Sequence, residues 1–91
     1  STIDCTRIAY KAGFHAAVAK ALDFPAYYGK NLDALHDCLG DISHPLRITV
    51  TFTDRLVEEL SDYGKTFLEV LKDVAEENEN ITVSFYTDKR I

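Results

Sequence analysis

Hydrophobic and polar positions change period several times along the chain, and each change marks an element. The clearest stretch is residues 46–53, where Leu46, Ile48, Val50 and Phe52 alternate with Arg47, Thr49, Thr51 and Thr53. A period of two, rich in β-branched residues, is that of a strand with one face in a core. Ile81, Val83 and Phe85 repeat the pattern in a strand from Ile81 to Tyr86, and Asn78 to Asn80 supply the turn into it. Thr2 to Cys5 is a shorter alternating stretch and predicts a further strand.

Elsewhere the period lengthens. From Ala12 to Leu22 the residues Phe14, Val18, Ala21 and Leu22 fall at helical spacing, and Pro25 ends the helix. Leu32, Leu35 and Leu39 at i, i+3 and i+7 predict a second, shorter helix. Asn31 is placed to cap it, because its side-chain oxygen accepts from a backbone N–H of the first turn that has no other partner. Gly40 follows where a helix end takes a residue at positive φ. Leu56, Val57 and Leu60 mark a brief third helix started by Thr53 or Asp54, and Phe67, Leu68, Leu71, Val74 and Ala75 mark a longer fourth. Residues 23–30, with Pro25 and Gly29 around Tyr27 and Tyr28, read as an ordered loop, and where it is extended the two tyrosines point opposite ways, Tyr28 into the fold. Residues 88–91 read as a solvated tail. Strands separated by helices, with no two-residue hairpin turn, imply parallel strands joined by crossovers. The expectation is one α/β domain over residues 1–91, with about three strands and about four helices packed against them.

Composition narrows the function. Ten basic residues against fifteen acidic ones leave a net charge of −5, which disfavours a nucleic-acid backbone as direct partner and favours a basic protein. No apolar run approaches the ~18 residues of a membrane span, and residues 1–7 have neither the basic nor the apolar region of a signal peptide, so a soluble cytoplasmic protein is expected. Cys5 and Cys38 are too few for a disulfide scaffold and read as free thiols, Cys38 as a small core residue. His36, Cys38 and His44 lack ligand spacing, so neither a metal nor any other cofactor is expected.

The second helix carries the distinctive chemistry. With its leucines on one stripe, Asp33, His36 and Asp37 face away, joined past the end by Asp41. Residues 31–44 hold three carboxylates and no Lys or Arg, so they account for −3 of the −5. Asp33 gains from the positive end of the helix dipole, whereas Asp37 lies beyond its reach and repels Asp33 across i, i+4 at a cost of about 0.2–0.5 kcal/mol. Stability alone would place a lysine at position 37. Solubilising charges on an exposed face are the plain alternative. A hydrolase using Asp33 and Asp37 with His36 as base lacks a phosphate loop, a nucleophile elbow and a water-excluded pocket, so no enzyme is expected.

The stretch from Phe24 to Leu39, with Tyr27-Tyr28-Gly29-Lys30-Asn31-Leu32-Asp33-Ala34-Leu35-His36-Asp37-Cys38-Leu39 at its centre, resembles the signature of the barstar family, inhibitors of secreted bacterial ribonucleases such as barnase. The similarity continues more loosely through Pro45-Leu46, residues 66–76 and Ile81-Thr82-Val83. It implies a two-layer α/β fold, a three-stranded parallel sheet flanked by helices. It also implies that the second helix and the loop before it enter a basic active site, where a carboxylate stands in for the scissile phosphate. Carried over by position, Asp37 is the central acid and Asp33 the second. Gly29 and Asn31 line the loop, Tyr27 stacks on the enzyme, and Asp73 supplies a further acid from the last helix. His36 stands where the family has a tryptophan, and Asp41 and Ile42 stand where it has a small residue and a tryptophan.

The implied partner is a basic ribonuclease bound one-to-one by an inhibitor that is monomeric when free. The alternative is an immunity or interaction module of the same fold with a different protein partner. His15 and His44 read as surface or capping residues. Because His36 lies between Asp33 and Asp37, its protonation is expected to weaken binding below about pH 6, where histidine side chains gain charge.

Overall fold

The computed structural model describes residues 1–6, 8, 10–25 and 28–87. Three strands, β1 (Thr2–Asp4), β2 (Leu46–Thr51) and β3 (Ile81–Phe85), form a parallel sheet in the order β1-β2-β3. Helices α1 (Lys11–Leu22) and α2 (Leu32–Gly40) connect the first two strands, and α3 (Thr53–Leu60) and α4 (Asp62–Glu77) connect the last two. This is the expected α/β architecture of a parallel sheet and four helices.

The register explains why β2 alternates so cleanly. Val50 lies opposite Ile3 on one side and Phe85 on the other, while Ile48 faces Val83 and Leu46 faces Ile81. These residues share the face that meets Phe14, Val18 and Leu22 of α1, Leu35 and Leu39 of α2, Leu56 of α3 and Phe67, Leu71 and Val74 of α4. Thr2, Arg47 and Thr82, on the opposite face, are exposed. The core helices pack on the apolar side, and the opposite face of β2 is polar, running from exposed Arg47 through half-buried Thr49 to buried Thr51. The rings of Phe14 and Phe67 meet edge-on at 4.6 Å between centroids in the middle of the core.

Two expectations fail at element ends. The second strand stops at Thr51, because Phe52 turns to φ 58° and caps α3 with its backbone, its carbonyl accepting from the N–H groups of Arg55 and Leu56. Phe52 still packs partly against the core, which offsets the cost of a bulky residue in the left-handed region. Gly40 stays inside α2 and needs no positive φ. The last turn closes instead through Asp41 N–H to the Asp37 carbonyl and Ile42 N–H to the Leu39 carbonyl, both 3.2 Å, so the chain leaves in a right-handed turn.

Gly64 sets how closely α3 and α4 approach. A Cβ built there would lie 2.8 Å from the Leu56 carbonyl oxygen, a backbone atom that cannot swing away. Gly64→Ala is accordingly expected to destabilise the protein by about 1–3 kcal/mol through overpacking, despite the better helix propensity of alanine. Urea unfolding would check this; a variant as stable as the parent would show that the helices can part at little cost.

Candidate functional site

The loop before α2 is held by backbone and side chain together. The Tyr28 N–H donates to the Pro25 carbonyl at 3.0 Å, and the Tyr28 ring is buried, 4.9 Å from the Phe24 ring. Lys30 then takes φ 55°, and Asn31 returns to an extended conformation as the N-cap. Its Oδ1 accepts from the Ala34 N–H at 2.8 Å and its Nδ2 donates to the Gly29 carbonyl at 3.2 Å, so one side chain fixes both the helix start and the loop. A Cβ on Gly29 would sit 3.2 Å from the Ala34 methyl, so a side chain there crowds that start. The expectation for Tyr27 falls outside the described residues.

Beneath this loop lies a group that sequence spacing misassigned. His15 is fully buried, not a surface or capping residue. Its Nδ1 lies 2.7 Å from the Tyr28 hydroxyl and its Nε2 2.5 Å from the Tyr63 hydroxyl. A neutral imidazole donates from one nitrogen and accepts at the other, so one tyrosine receives a proton and the other gives one. Burial pushes the His15 pKa down, and burial followed by the neighbouring Tyr63 and Cys38 pushes that of Tyr28 up. Two tyrosines, one in the loop and one in α4, meet the hydrogen-bonding needs of a ring that would otherwise be costly to bury. His44 is exposed, as expected.

On α2, Leu35 and Leu39 are fully buried and Leu32 is half-buried, which turns Asp33 and Asp37 outward. Both are exposed, and Asp41, also exposed, continues their i, i+4 ridge past the helix end. Among the described residues none of the three forms an ion pair or a side-chain hydrogen bond. His36 is different. Its Nε2 meets Glu77 Oε2 of α4 at 3.1 Å, which ties this side chain to the neighbouring helix.

Helix α4 packs against α2 and brings a second acidic strip to its flank. Asp73 is exposed one turn before Glu77. Glu77 and Asn78 were missed by sequence reasoning, although Glu77 follows Asp73 at i+4 on the same helical face. Asn78 Nδ2 donates to the Leu39 carbonyl at 3.1 Å and to the Ile42 carbonyl at 3.0 Å, tying the end of α2 and half-buried Ile42 to α4. Cys5 and Cys38 are free thiols. Burial and then Asp4 push buried Cys5 up to about 12, whereas Cys38 packs partly against the core and is raised by burial, Asp41 and Asp37 in that order. No cluster of metal-ligating side chains occurs among the described residues, and none of their helices is long and apolar enough to cross a membrane.

The sequence model of the family described as Barstar (barnase inhibitor) matches residues 1–88. The chain belongs to the barstar family. It is also 41% identical over 64 residues to the Bacillus subtilis (strain 168) protein named "Putative ribonuclease inhibitor YrdF", an alignment covering 69% of this chain and 70% of that relative. Membership of the barstar family puts the chain among inhibitors and not enzymes. The parallel sheet and helices described above are consistent with that family's fold.

Proposed function

We propose that this protein is a single-domain cytoplasmic inhibitor of a basic, barnase-type bacterial ribonuclease. It binds one-to-one, with α2 and the preceding loop closing the enzyme's active site. Asp37 is the central acid and Asp33 its neighbour. Asp73 lies on the flank, Gly29 and Asn31 shape the loop beside Tyr27, and His36, Asp41 and Ile42 complete the contact surface. One observation carries this reading: Asp33, Asp37 and Asp41 form an exposed acidic ridge that no Lys or Arg of the described chain neutralises. Carboxylates left in this state are available to cations that ordinarily hold phosphate. Such cations also relieve the repulsion within the ridge.

Titrating the protein against a basic guanyl-preferring ribonuclease tests this reading. RNA cleavage should stop at one equivalent; undiminished cleavage at excess inhibitor would refute it. Because the ridge acts before contact as well as after it, association should slow steeply between about 50 mM and 500 mM salt, while dissociation changes less. Stopped-flow mixing at several ionic strengths would reveal this, and a salt-independent association rate would remove the steering role. A second reading, an immunity or interaction module for a different partner, is favoured by the His36–Glu77 contact, which ties down a side chain central to the proposed surface. Binding of an unrelated protein with no effect on any such nuclease would select it.

A further inference from the structure

A groove of about 360 Å³ runs along the flank of α2, between its C-terminal turn and the end of α1. Leu22, Phe24, Ile42 and Leu46 make its lining largely apolar. Three carboxylates stand around it: Asp23, Asp37 and Asp41. Asp23 is exposed, takes φ 56° at the end of α1, and like the other two has no ion pair among the described residues. No Lys or Arg lines the groove, and His44 is the basic side chain in its wall. The negative potential reaches inward, since Asp41 and Asp37 both add to burial in raising the Cys38 thiol on the lining.

We propose that this groove is a second contact site of the inhibitor and takes one lysine or arginine side chain of the ribonuclease. The methylene stem lies along Leu22, Phe24 and Ile42 and the charged head among the three aspartates. The proposal rests on the reading that the partner is a basic ribonuclease. Long cationic side chains cover apolar surface with their stems while keeping the head polar, which matches an apolar trough with an acidic rim. Other occupants fit worse. An apolar side chain would desolvate three carboxylates without pairing them. A second copy of this chain, with a net charge of −5, would set acid against acid. Asp37 thus serves two sites at once, the active-site plug on its outer side and the groove on its flank.

The test compares two singly neutralised variants in complex with the ribonuclease. Asp23→Asn removes the rim charge that lies outside the acidic ridge of α2 while keeping side-chain shape, and asparagine tolerates the left-handed backbone at position 23. Asp54→Asn removes the same charge from α3, away from the site. At about 500 mM salt, where long-range steering is screened, the groove variant should dissociate roughly tenfold faster than the parent and the α3 variant no faster. Equal dissociation from both overturns the proposal. Asp23→Lys, which sets a positive charge at the rim, should weaken the complex further; an effect no larger than that of Asp23→Asn would mean an apolar occupant and overturn the cationic one. Failure of the parent to bind the nuclease would overturn the inhibitor reading itself. A parent that binds and loses binding on Asp37→Ala, but is indifferent to the groove variants, would overturn only the groove.

Discussion

Replacing Asp37 by alanine is expected to weaken the ribonuclease complex by on the order of 3–5 kcal/mol, roughly a hundredfold to several thousandfold in affinity. The size comes from what is left behind, more than from the contact removed. Cations that bind phosphate are desolvated when α2 enters the enzyme's cleft, and without the carboxylate they stay buried and unpaired. The free inhibitor should not suffer. Asp37 is exposed, its carboxylate accepts no hydrogen bond among the described residues, and it stands i, i+4 from both Asp33 and Asp41, so its removal should stabilise the isolated protein by a few tenths of a kcal/mol. Lost inhibition with an unchanged or slightly higher melting temperature is therefore the signature to seek.

A control on α3 separates this from a general charge effect. Glu58→Ala removes the same charge, and its surface pair with Arg55, 3.8 Å apart, contributes little to stability. Inhibition constants for the two variants, measured by RNA cleavage, should differ by about two decades or more. If they are equal, the acidic face of α2 has been wrongly assigned, whatever the stability data show.

The parts of this design that were legible in the sequence are those set by local period and local hydrogen bonding. The alternation of Leu46, Ile48 and Val50 marked β2, the leucine spacing marked α2, and Asn31 announced its own cap. The outward direction of Asp33 and Asp37 followed from the same leucines. What escaped depends on contacts between distant segments. Phe52 continued the alternation in its chemistry but not in its backbone, because the chain had to turn into α3 at that residue. Gly40 looked like a helix stop, yet Asp41 and Ile42 closed the turn in its place. Glu77 became part of the candidate site through His36, 41 residues away, a pairing that exists only once α4 lies against α2.

His15 is the most consequential of these hidden contacts, and it predicts that the protein loses stability in acid. Its ring is fully buried and its pKa is lowered by that burial, while in the unfolded chain it titrates near the ordinary histidine value of about 6.5. The unfolded state therefore binds the extra proton first. Stability from this residue is complete above about pH 6.5 and declines as the pH falls below it, by at most about 1.4 kcal/mol per pH unit, until the folded state also protonates. The groups facing the ring are the Tyr28 and Tyr63 hydroxyls, with Lys11 stacked over the Tyr63 ring at 4.4 Å; no carboxylate is among its hydrogen-bond partners to favour the charged form. His15→Phe keeps the volume and removes this proton, so its unfolding free energy should lie about 1–3 kcal/mol below the parent at pH 7.5, the cost of stranding the Tyr28 hydroxyl. The gap should then narrow as the pH falls toward 5, because only the parent carries the linked proton. Urea unfolding of both proteins across this range decides the matter, and parallel curves would mean that His15 does not stay neutral on folding. Since the Tyr28 contact anchors the loop carrying Gly29 and Asn31, inhibition should weaken along with stability in acid, through the buried ring beneath the site.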